Sequence, residues 1–236
     1  MPVILAVDTS AKPVSCALIK DGRILGNYYS NSGLTHSQTL MPMIEHLLSV
    51  TGVTMDTLDA VAVNAGPGSF TGVRIGVSAV KGLAFTRNLP CISVSTLESM
   101  AENVTIVGDC VVCGVMDARC SQVYTALFEK RDGNTHRISE DIAVTIDELG
   151  QQLKDIGRPI VLVGDGSEIC YDRLKDAVPQ LYLSAPSVRF QNAASTAVVA
   201  ERKYLAGDTT SAAELLPVYL RLPQAERELN AKMNLK

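Results

Sequence analysis

The chain predicts an α/β fold of two similar lobes, and three observations carry the prediction. Two apolar runs, Val3 to Val7 and Val111 to Met116, each end in an aspartate, Asp8 and Asp117. Each is followed by a short loop, a second apolar run and an Asp-Gly pair. Each copy then repeats the same later order of helical segment, apolar run, Gly-rich loop and helical segment. Uninterrupted apolar runs suit strands covered on both faces. So many elements recurring in one order point to internal duplication.

In the first copy, Val3 to Thr9 is the leading strand and Val14 to Lys20 the second. Asp21-Gly22 is a hairpin turn signal, and Arg23 to Tyr29 returns as the third strand. A helix is expected over 36–50. Thr35 and Gln38 match a capping box. Leu40, Met43, Ile44, Leu47 and Leu48 form an amphipathic stripe. Pro42 should kink this helix or delay its start, and Gly52 should stop it. Asp59 to Asn64 leads through Ala65-Gly66-Pro67-Gly68-Ser69 into a helix over 70–86.

The second copy runs the same way. Val111 to Asp117 and Gln122 to Phe128 are strands, Asp132-Gly133 is the turn, and the third strand falls within 135–144. A helix over 146–156 precedes the strand Pro159 to Val163 and the loop Gly164-Asp165-Gly166-Ser167. The implied organisation is an N-terminal lobe over 1–104, a C-terminal lobe over 105–210, and a segment over 211–236 that returns to the first lobe. Each lobe is a mixed sheet of three antiparallel strands plus parallel ones, facing a cleft. This is the plan of actin, hexokinase and Hsp70, the ASKHA fold.

In that plan the two hairpin loops approach a nucleotide's phosphates from opposite lobes. The candidate cleft residues here are Asp8, Thr9, Ser10, Gly66, Gly68, Asp117, Gly164 and Gly166. Asp8 and Asp117 suit a hydrated magnesium ion, or equally cap their own turns. Asp165 admits the same two readings. The strand–loop–helix context of Gly66 to Gly72 suits an anion, but no Gly-Lys-Ser/Thr follows, and a tight turn explains it as well. Gly68, Gly72 and Gly76 stand on one helical face. Glycine inside a helix costs roughly 0.5–1 kcal/mol against alanine, so either a ligand approached by the helix N-terminus or close packing of another backbone must offset it. Whether that packing is internal or with a partner's helix is open at this level.

Composition excludes several classes. The 236 residues, 47% hydrophobic and 19% charged, suit a globular chain with room for two cores. No apolar run approaches the ~20 residues of a membrane helix. The N-terminus reads as a strand rather than a signal peptide, so a cytoplasmic location without membrane association is expected. A net charge of −4 and an isoelectric point of about 5.4 argue against gripping nucleic acid unaided. Cys110 and Cys113 form a CxxC, but three apart on a strand they face opposite ways, so buried free thiols are expected. The sequence has no HxxxH, HExxH or GxSxG, so neither a metal site nor a catalytic constellation is assigned.

Ile4 to Ser10, His36-Ser37, Gly66 to Gly76, Asp117-Ala118-Arg119, Val123-Tyr124 and Pro217 to Arg221 resemble the bacterial family TsaB, also called YeaZ. The resemblance spans residues 4 to 221, and the GPGSFTGVRIG string is its most specific part. It implies a non-catalytic partner of a TsaD-like paralogue, which transfers a threonylcarbamoyl group to the tRNA adenosine 3′ of the anticodon. The TsaD HxxxH metal pair would fall here on Thr96 and Met100, neither a credible ligand. No cofactor is then required by this chain, and ATP is left open. The resemblance further implies a heterodimer with the TsaD-like subunit, a TsaE-like ATPase in the assembly, a homodimer when isolated, and tRNA reached only through the complex. The interface would lie on the first-lobe helices, with Met43, Leu47, Gly72, Val73, Gly76 and Val80 as candidates. The alternative is an ATP-binding phosphotransferase or ATPase of the actin-like fold. Nothing in the sequence supports the older glycoprotease label.

Overall fold

The computed structural model describes residues 2–105 and 108–221, so the charged tail beyond Gln224 lies outside the described residues. The first repeat comprises β1 (Val3–Asp8), β2 (Val14–Lys20), β3 (Arg23–Ser30), α1 (His36–Thr51), β4 (Ala60–Gly66), α2 (Phe70–Phe85), β5 (Cys91–Ser95) and α3 (Thr96–Glu102). The second comprises β6 (Cys110–Asp117), β7 (Gln122–Arg131), β8 (Asn134–Arg137), β9 (Ile142–Thr145), α4 (Ile146–Lys154), β10 (Ile160–Val163), α5 (Ser167–Leu174), β11 (Leu181–Leu183) and α6 (Ala193–Leu205).

The first sheet has the order β3-β2-β1-β4-β5, and the second β11-β10-β6-β7-β8 with β9 also on β7. β1, β2 and β3 pair antiparallel, while β4 and β5 run parallel to β1. β6 takes the place of β1, and β10 and β11 those of β4 and β5, with the same directions. The duplicated mixed sheets are the actin/hexokinase/Hsp70 plan. Both Asp-Gly turns put two residues at positive φ, Asp21 at 54° and Gly22 at 71°, Asp132 at 52° and Gly133 at 77°. That backbone matches the right-handed twist of the strands it joins.

Several expectations need correction. The third strand of the second copy is broken, because the Ile138 and Ser139 N–H groups both donate to the Leu127 carbonyl, at 2.9 and 3.2 Å. Two residues facing one interrupt the ladder and separate β8 from β9. The capping box on α1 does not form: the Thr35 hydroxyl donates to the Gln38 side-chain oxygen at 2.5 Å and accepts nothing from the backbone. The Thr35 carbonyl takes the Gln38 N–H instead, at 3.0 Å. The helix passes through Pro42 without a late start and stops at Gly52, φ 68°. A capping box missed in the sequence does form at Thr145 and Glu148, opening α4.

Packing explains why the two halves hold together. The first sheet is covered on one face by α1 and α2, through Leu40, Ile44, Leu47, Val73 and Val80, all buried. Its other face takes α6, through Ala193, Ala197 and Ala200 against Ile4, Ala6 and Ala17. The second sheet is covered by α4 and α5 on one face. On its other face Leu97 and Met100 of α3 pack on Val112 and Phe128. Each buried Leu of this kind contributes about 1.5–3 kcal/mol. Each repeat therefore lends its last helix to the other repeat's sheet. The chain returns to the first lobe at Ala193, earlier than the expected residue 211. Cys110 and Cys113 lie in the cores on opposite faces of β6, and burial pushes the Cys113 thiol up to about 12.

Candidate functional site

Both leading strands end in the same local device. Asp8 Oδ1 accepts the Ser10 N–H at 2.8 Å and the Ser10 hydroxyl at 2.7 Å. Asp117 Oδ1 accepts the Arg119 N–H at 2.7 Å. Each aspartate thus closes its own turn two residues on, as Asx side chains do. Asp8 is buried and takes a further bond from Asn64 Nδ2 at 2.6 Å. Burial raises its carboxyl above the ordinary range, against the pull of Ser10, Asn64 and His36.

A cleft of about 1010 Å³ lies between the lobes. Of the candidate cleft residues, Ser10, Gly68 and Asp117 line it; Asp8, Thr9, Gly66, Gly164 and Gly166 do not. The reasons are local. Thr9 donates its hydroxyl to the Gly72 carbonyl at 2.7 Å. A Cβ on Gly66 would overlap the Val218 carbonyl, one on Gly164 the Val115 carbonyl, and one on Gly166 the backbone of Met116 and Asp117. These glycines allow close backbone approach. Asp165 also lines the cleft. Burial first, and then the charge of Asp117, raise its carboxyl, while Gln191 hydrogen-bonds it at 3.4 Å. Tyr219 and Arg221 reach the cleft from the C-terminal segment, which spacing alone did not place there.

The second concavity is a groove of about 490 Å³ between α1 and α2, walled by Met41, Phe70, Ile75 and Ala79. Met41 is 45% exposed. Arg74 is the single charged side chain in its lining, with its guanidinium 3.8 Å from the Phe70 ring centre. The interface expectation is corrected at five of its six residues. Leu47, Gly72, Val73, Gly76 and Val80 are buried inside the lobe, and only Met43 is part-exposed. The glycine stripe faces inward: a Cβ on Gly68 would overlap the Ser10 carbonyl, and one on Gly72 the Thr9 carbonyl. At Gly76 it would meet the Thr9 hydroxyl. The outward face of α2 is instead Thr71, Arg74 and Ser78. Periodicity named the stripe but not its direction.

The resemblance puts the TsaD metal pair on Thr96 and Met100, and the surroundings of these two residues do not suit a metal. Both are fully buried, and the Met100 thioether packs with Leu97, Val112 and Phe128 and lies against Gly164. The Thr96 hydroxyl has no partner. Among the described residues no group of three or more His, Cys, Asp and Glu side chains gathers to hold a metal.

Duplicated mixed sheets and hairpin loops meeting at an interlobe cleft together define a two-lobed protein of the actin/hexokinase/Hsp70 class. A family model described as TsaD, tRNA N6-adenosine threonylcarbamoyltransferase, matches residues 29–229. The tRNA threonylcarbamoyladenosine biosynthesis protein TsaB of Escherichia coli is 32% identical over 97% of this chain and 99% of its own. That of Bacillus subtilis is 30% identical over 94% and 96%. A crystal structure described as an uncharacterized protein similar to peptidase YEAZ from Pseudomonas aeruginosa superposes with a TM-score of 0.81. It is 30% identical and covers 94% of this chain and 100% of that one. A structure of YeaZ from the same organism gives 0.77 at 29% identity, over 93% and 100%. The chain belongs to the TsaB (YeaZ) family, within the wider group that the TsaD family model describes.

Proposed function

We propose that this chain serves the formation of threonylcarbamoyladenosine in tRNA as a non-catalytic subunit, docking on a TsaD-like paralogue through the groove between α1 and α2. The observation that carries the reading is that groove: an apolar channel between two helices, open to solvent, with one cation, Arg74, in its lining. Such a surface fits an amphipathic helix bearing a carboxylate. The packing of Thr96 and Met100 supports a role without metal chemistry of its own. The net charge of −4 supports reaching tRNA only through the complex. A TsaE-like ATPase joins that assembly, which works in the cytoplasm. In the isolated chain the same groove closes on a second copy.

Docking is tested by titrating the purified TsaD-like protein with this chain. Met41→Glu places a carboxylate in the apolar channel and lowers affinity about tenfold or more, with the melting temperature unchanged. Leu205→Glu, at a 68% exposed position on α6, leaves affinity alone. Equal affinities for wild type and Met41→Glu contradict the groove.

A further inference from the structure

The segment 215–221 has no regular secondary structure, yet it is anchored at intervals along its length. Leu215 is buried in the first lobe, and Lys81 Nζ donates to its carbonyl and to that of Ala213, both at 3.1 Å. The Val218 N–H donates to the Ala65 carbonyl at 2.7 Å. The Tyr219 ring lies 4.9 Å from that of Phe70, and Arg74 Nε donates to its hydroxyl at 2.7 Å. Arg221 Nη1 then donates to the Ala118 carbonyl at 2.9 Å, on the hairpin loop of the second lobe. Leu216, Val218 and Tyr219 stay 65%, 45% and 39% exposed. Polar anchors rather than burial hold this part of the chain, and segments so held open locally at low cost.

We propose that residues 215–221 are a latch that pins the second lobe to the first across the cleft, and that Arg74 is its keeper. Arg74 belongs both to the latch, through Tyr219, and to the α1–α2 groove. A carboxylate entering the groove competes for the guanidinium that holds Tyr219. Groove occupancy and latch closure are therefore linked, and linkage is reciprocal. This last step rests on the groove being a docking face; the latch itself does not.

The test uses the full chain without any partner, so the docking reading and the latch fail separately. Amide hydrogen exchange is followed at Val218, and the interlobe distance between spin labels at Ser49 and Gln152 in a Cys120→Ser background. Arg221→Ala removes the second-lobe anchor and speeds Val218 exchange about tenfold, with a broader distance distribution. Tyr219→Phe removes only the hydroxyl that Arg74 holds, leaves packing intact, and speeds exchange about fivefold. Unchanged exchange and distances in Arg221→Ala overturn the latch. A response in Arg221→Ala but none in Tyr219→Phe overturns the role of Arg74.

Discussion

Asp165 shows how burial and charge act on one side chain. It lies at the cleft, and burial favours its protonated form, against hydrogen bonds from Gln191 and the Asp117 backbone and with a smaller push from the Asp117 charge. The folded state therefore keeps a proton that the unfolded chain has already lost. Stability falls as pH rises from the ordinary carboxylate range through the raised value, and is flat above it. Asp165→Asn removes its share of that fall and leaves the share of Asp8, whose carboxyl is also raised, and urea titrations at a series of pH values would detect the shallower slope; an unchanged slope would contradict it. Asp8 was legible in the sequence as a strand-end aspartate, with a metal or its own turn as the two readings. Its bonds to Ser10 and Asn64 favour the turn. Those donors come from a neighbouring loop residue and from another strand, and the second is invisible to local spacing.

At the scale of elements, strands, hairpins and helices were largely readable, because apolar runs and Asp-Gly pairs are local signals. The break between β8 and β9 was not, since it depends on which carbonyl of β7 takes two donors. The direction of the glycine stripe on α2 was not either, because it is set by the loop after β1, distant in sequence. Its consequence is measurable within one helix. Gly72→Ala gains about 1 kcal/mol of helix propensity but drives a methyl into the Thr9 carbonyl, for a net loss of about 1–3 kcal/mol. Gly82→Ala on the same helix meets nothing within 4 Å and gains about 0.5–1 kcal/mol. Chemical denaturation of the two variants decides it. Equal stabilisation of both would mean that the stripe is not packed inward.

At the scale of the whole molecule, the exchange of α3 and α6 joins the two lobes on their inner faces, though the sequence presents the repeats as successive halves. The cleft survives between them, but its walls are turn-closing side chains, close backbone contacts and the chain's own C-terminal segment. No helix among the described residues is long and apolar enough to cross a membrane. The groove between α1 and α2 on the first lobe is the surface proposed for a partner. The central claim, a subunit required for a reaction it does not itself carry out, is tested most directly by reconstitution. Threonylcarbamoyladenosine is measured in tRNA incubated with the other purified components, with and without this chain. The expected result is modification only when the chain is present, none from the chain alone, and a reduced yield with Met41→Glu at limiting concentration. Equal modification without the chain would contradict the claim.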